Sequence, residues 1–198
     1  MPGLADLNKD LLLVHGFNWF FRGAYVSDQK ARDYLVSFVR LVDRAIHEYE
    51  SARALLEEHE SQLGIARKIR AFGYLETCIN STKRAFNVAE QMRRYRPAPP
   101  INRLTMRSLV GHGRSIKDVR DAIEHMDEWI ERGEVQPGEA IALMVTDQGD
   151  AIEIAGHRVS FQDLAAVLRK LHGLAQYLAA YQEPGATAGA SGPTVTKS

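Results

Sequence analysis

Arg120 and His125 stand five residues apart in the stretch Arg120-Asp121-Ala122-Ile123-Glu124-His125. A guanidinium holds a phosphodiester and an imidazole moves a proton beside it, so the two residue types together have the chemistry of RNA strand scission. The stretch also lies on a seam of charge. From Lys83 to Arg120 there are ten Lys or Arg against two acids, and from Asp121 to Asp163 eleven acids against two Arg. The formal net charge is zero, so the cation excess that binds nucleic acid is confined to the middle of the chain.

Five helical residues turn the chain by about 500°, which leaves the two side chains about 140° apart. They do not share one face of a straight helix. Relative to the apolar stripe Ile116, Val119, Ile123, Met126 and Ile130, Arg120 falls on a flank and His125 points away from the core. Ala122 and Trp129 lie three before and four after His125, and an outward indole there predicts an interface. Two copies paired through Ala122 and Trp129 would draw each His125 into a partly dry groove where arginines from both chains converge. In that groove His125 is the expected base or acid, Arg120 the phosphate anchor, and Asp121 the carboxylate that orients the imidazole. The chemistry requires no metal and no cofactor. A plainer reading stands beside it: Arg120 with Glu124, and Asp121 with His125, are i,i+4 partners that form ordinary solvated contacts.

The spacing alone recurs at Arg40 and His47, Arg53 and His59, and Arg107 and His112, but only Arg120 is followed by an acidic or amide residue. With that polar neighbour, late in a helical chain, Arg120 to His125 resembles the R-x4-6-H motif of the HEPN-domain family. The resemblance implies an α-helical, dimeric protein and a metal-independent endoribonuclease of a toxin, defence or RNA-processing system. It makes Arg120 and His125 the catalytic pair and Asp121 the accompanying polar residue. The implied partners are a second copy of the chain, RNA, and an antitoxin or nucleotidyltransferase. A noncatalytic helical assembly protein, or an RNA- or nucleotide-binding relative without cleavage, is the alternative.

Arg93, Arg94 and Arg96 surround Tyr95, and Arg114 and Lys117 follow. On one reading these grip an RNA backbone while Tyr95 stacks a base; on the other they neutralise the acidic segment that follows. Gly111-His112-Gly113-Arg114, ahead of a helix, has backbone amides able to meet a phosphate, or is simply a helix entry. Glu-x-x-His, His-Glu-x-x-His, Gly-x-Ser-x-Gly and Walker or Rossmann glycine patterns are all missing. The one cysteine, Cys78, falls within an apolar-periodic helix and reads as a small core residue.

These residues need helices to position them. Tyr34, Phe38, Leu41, Ala45, Tyr49, Ala52 and Leu56 mark a first long helix from Asp28, with Ser27 as its cap. A second runs from about Ile65 to Tyr95, with Ile69, Phe72, Leu75, Ile79, Phe86 and Ala89 toward the core and a break near Gly64. Arg96-Pro-Ala-Pro-Pro100 ends it and opens a connection. The motif helix starts after Gly111 and Gly113 and stops at Gly133. A β-hairpin is expected at about 139–159, around Asp147 to Asp150. Ser160 and Asp163 then cap a closing helix striped by Leu164, Val167, Leu168, Leu171, Leu174 and Leu178. With Leu4 to Phe21 as a weaker first helix, the expected fold is all-α: an antiparallel bundle of four to five helices with a hairpin insertion before the last.

At 198 residues and 45% hydrophobic content the chain supports one core, read as residues 1–182, with a disordered tail at 183–198 that carries almost no apolar mass. One cysteine excludes an internal disulfide, and no signal peptide or membrane span is apparent, so the expected location is cytoplasmic.

Overall fold

The computed structural model describes residues 1–7, 11–13, 26–57 and 64–181. Helix α1 (Gln29–Glu57) begins where the Asp28 carboxylate accepts from the Ala31 amide at 2.8 Å. The side chain on that orphan amide is therefore Asp28, one residue after the Ser27 expected there. Helix α1 buries Phe38, Leu41, Ala45, Tyr49 and Ala52, and the Tyr49 hydroxyl donates to the Pro2 carbonyl at 2.9 Å. The buried Glu50 carboxylate accepts from the Leu4 amide at 2.6 Å, so the start of the chain is pinned to the last third of α1. Residues 11–13 are helical, but residues 4–7, expected as the start of the same helix, form a turn closed by the Leu7 amide on the Leu4 carbonyl at 3.0 Å; the rest of the helix expected at Leu4 to Phe21 lies outside the described residues, as does the tail at 183–198.

Helix α2 (Ile65–Arg94) follows Gly64, as its apolar pattern predicts, and packs along α1. Leu75, Cys78, Ile79, Phe86 and Ala89 are buried. Ile69 is 63% exposed, against the expectation that it faces the core. The Tyr95 amide closes the helix on the Gln91 and Met92 carbonyls, and the proline run carries the chain away.

The connection then holds a further helix that the apolar pattern does not predict, α3 (Arg103–His112). The Asn102 side chain accepts from the Leu104 amide at 2.8 Å, and only Met106 and Leu109 are buried. One residue, Gly113, separates it from α4 (Arg114–Arg132). Helix α4 ends at Gly133, whose φ of 68° lets the Gly133 and Glu134 amides return to the Ile130 and Trp129 carbonyls.

The insertion is a three-stranded antiparallel meander: β1 (Met144–Val145), β2 (Ala151–Ile154) and β3 (His157–Ser160), in that order. Met144 pairs with Glu153 and Ile152 with Val159. The second turn, Ala155-Gly156, has positive φ at both residues (46° and 72°), the geometry of a tight two-residue hairpin turn. Ser160 caps α5 (Phe161–Ala179) by accepting from the Asp163 amide at 3.0 Å, and the whole predicted stripe of α5 is buried. The fold is thus a helical bundle with a small sheet before its last helix, and one core joins the helices to β2 and β3. Among the described residues no helix is long and apolar enough to cross a membrane.

Candidate RNA-binding and catalytic site

Helix α4 carries Arg120, Asp121 and His125, and β3 packs against it. Arg120 is partly exposed and its guanidinium donates to Glu124 at 2.6 Å and to Asp121 at 3.4 Å. His125 is 44% exposed; its Nδ1 lies 3.4 Å from Glu128 Oε1 and its Nε2 3.9 Å from Glu124 Oε2. A carboxylate only accepts, so either ring nitrogen can donate to the acid beside it when it carries the proton. Asp121 meets Lys117 at 3.9 Å and Arg120, so the carboxylates beside the imidazole are Glu128 and Glu124 rather than the Asp121 expected to orient it. Glu124 contacts both members of the pair, and the plain i,i+4 contact of Arg120 with Glu124 is present.

The face expected to form the interface is turned inward. Ala122 is fully buried, and Trp129 is half-buried with its ring 5.6 Å from that of His157 on β3. Ile130, expected in the core, is 50% exposed. The core stripe of α4 is Ile116, Val119, Ala122 and Met126, rotated toward the sheet because β3 claims that flank. Ala122 therefore has no surface with which to meet a second copy.

The basic cluster is locally compensated. Arg93 and Arg94 both donate to Glu90, at 2.8 and 2.9 Å. Hydrogen bonding from Arg93, then from Arg94, pulls the Glu90 carboxyl down to about 2. Tyr95 is half-buried, with its hydroxyl 3.2 Å from Asp28, its ring edge-on to Tyr34 at 6.0 Å, and the Lys30 ammonium 4.9 Å from its centre. That ring is occupied rather than presented for stacking. Arg96 is exposed.

Arg114 and Lys117 belong elsewhere, to a cleft of about 410 Å³ between α2, α3 and α4. Lys83, Asn87 and Glu90 complete its polar wall, over Phe86, Met106 and Val110. In the sequence only Arg114 and Lys117 of this set stand out, since Lys83 and Asn87 look like solvated helix residues until α3 and α4 close over them. Their shared stripe with Glu90, at spacings of four and three, was the available signal. Gly111 and His112 are helical, so of the expected phosphate-binding loop Gly113 and Arg114 line the cleft.

A second polar cluster joins α3 to α5. The Lys170 ammonium is 3.0 Å from Ser108 Oγ and 3.1 and 3.2 Å from the two His112 nitrogens. Near-equal distances to both nitrogens place the cation over the ring face, since Nδ1 already donates to the Ser108 carbonyl at 2.8 Å. Cys78 is fully buried and its thiol is pushed up to about 12 by burial, as befits a core residue. Among the described residues no three His, Cys, Asp or Glu side chains gather as a metal cluster.

Comparison of the chain with protein-family models, with curated proteins and with solved structures returns no match.

Proposed function

We propose that this chain is a HEPN-like, metal-independent endoribonuclease that acts on RNA as a homodimer, in a toxin, defence or RNA-processing setting. The observation that carries this reading is the placement of Arg120 and His125 on one solvent-reachable stretch of α4, with the Glu124 carboxylate touching both. A scissile phosphate can take the place of that carboxylate on the guanidinium, and it then lies beside His125 Nε2. In the reaction the ribose 2′-oxygen forms a bond to phosphorus and the bond from phosphorus to the 5′-oxygen breaks. The 2′-hydroxyl proton passes to a base and the leaving 5′-oxygen takes up another, leaving a 2′,3′-cyclic phosphate and a 5′-hydroxyl. Arg120 stabilises the charge on the phosphoryl oxygens. A second copy supplies the other proton-transfer group by placing its own His125 across the groove, through a surface other than Ala122.

One observation favours a second reading, an RNA-binding relative without cleavage. Arg120 is held by Glu124 and Asp121 together, which opposes its capture of phosphate. RNA incubated with wild type and with His125→Ala separates the two. Cleavage with cyclic phosphate ends that falls about 10²- to 10⁴-fold in the variant supports the nuclease. Equal cleavage by both proteins, or none by wild type, removes it, and binding without cleavage leaves the second reading.

A further inference from the structure

We infer that the cleft between α2, α3 and α4 is a binding site for a small organic phosphate that carries an apolar ring, such as a nucleoside monophosphate. The inference does not depend on the nuclease reading, because the cleft contains neither Arg120 nor His125; Arg114 and Lys117, weighed above as part of an RNA-gripping cluster, serve here as its cations.

The volume, about 410 Å³, falls within the range of sites that enclose small ligands. The chemistry of the walls is uneven. Lys83 and Arg114 enter from α2 and α4, and neither meets a carboxylate within ion-pair distance among the described residues. Lys117 adds a third cation whose one carboxylate, Asp121, is 3.9 Å away. Of the acids on the walls, Glu90 is already engaged by Arg93 and Arg94, which leaves Asp118. The cleft therefore holds an uncompensated positive charge that a dianion matches.

The apolar part of the lining is Met106, Phe86 and the exposed Val110. Inorganic phosphate alone would leave that surface wet, whereas a ligand with an attached ring covers it. The Asn87 side chain stands at the rim, where its amide both donates and accepts, as a base or ribose edge requires. Gly113 holds the walls together. A Cβ at this position would lie 2.6 Å from Phe86 Cε2, so α3 and α4 can close on α2 only with glycine there.

The test is calorimetric titration of the full chain with adenosine 5′-monophosphate, inorganic phosphate, adenosine, and a short single-stranded oligoribonucleotide. The expected order is monophosphate tighter than phosphate and phosphate tighter than adenosine, because both cations and apolar lining contribute. Lys83→Ala and Arg114→Ala should each weaken the monophosphate by about tenfold. Val110→Trp, a change at an exposed position, should block it while the circular dichroism spectrum and melting curve stay those of wild type. His125→Ala should bind the monophosphate as wild type does, whatever happens to RNA cleavage. No binding of the monophosphate by wild type, binding by Lys83→Ala and Arg114→Ala as tight as that of wild type, or binding confined to the oligoribonucleotide would each overturn the inference.

Discussion

Gly113 lies directly beneath the Phe86 ring, so close that a methyl group in place of its hydrogen would stand 2.6 Å from Cε2 and 2.8 Å from Cζ of the ring. This contact brings α2 against the junction of α3 and α4, and it shapes the cationic cleft. Gly113 has ordinary negative φ (−89°), so the constraint is the neighbouring ring and not the backbone. Gly113→Ala should lower stability by about 1–3 kcal/mol, the usual cost of overpacking. Adding Phe86→Leu should recover part of that loss. Urea denaturation measures both, and an unchanged midpoint in Gly113→Ala would show that the helices do not meet as described.

Glu124 competes for Arg120 with any incoming phosphate. Glu124→Gln keeps the shape of the side chain and removes its charge, so RNA affinity should rise, by about two- to fivefold for a half-exposed pair. Arg120→Ala should reverse the gain in the double variant. Fluorescence anisotropy at fixed salt reads the effect. If Glu124→Gln binds RNA no better than wild type, the carboxylate does not guard the guanidinium.

Glu90 provides a pH signature. Hydrogen bonds from Arg93 and Arg94 hold its carboxyl near 2, below the ordinary carboxylate range. A depressed folded-state value means that the contribution of these pairs is present above the unfolded carboxylate value and is lost as the pH falls toward about 2. A carbon-detected NMR titration should place the Glu90 midpoint there in wild type. In Arg93→Ala/Arg94→Ala it should return to the ordinary range. A wild-type midpoint near 4.5 would mean that the two arginines are free for another partner.

Trp129 separates folding from assembly. Because it packs on His157 and the core, Trp129→Ala should destabilise the fold itself, by about 2 kcal/mol for a half-buried indole. That loss should be the same at low and high protein concentration. A loss that grows with dilution would return the indole to an interface between copies.

The division between what was readable and what was not follows from the range of the forces. Stripes such as Leu164 to Leu178 on α5 and Phe38 to Ala52 on α1 repeat within a helix, so the amphipathic pattern located those helices, while glycine, proline and β-rich residue types marked the stops at Gly133 and the proline run and the insertion before α5. Ten-residue α3 escaped because it buries only Met106 and Leu109, too few for a stripe, although Asn102 marked its start.

The candidate site was legible only as a list of residue types. Arg120 and His125 were found by their chemistry and spacing, but which carboxylates surround them depends on rotamers along α4 that spacing leaves open. On a helical wheel Ile123 falls within the apolar stripe and Ala122 at its margin. The choice of Ala122 came from β3, which reaches that flank only after the meander has folded back. The cleft is the clearest case, since Lys83, Val110 and Arg114 come from three helices and share no local pattern. Periodicity within one element dictates which face is apolar; only packing between elements decides what that face, and the charges at its margin, will meet.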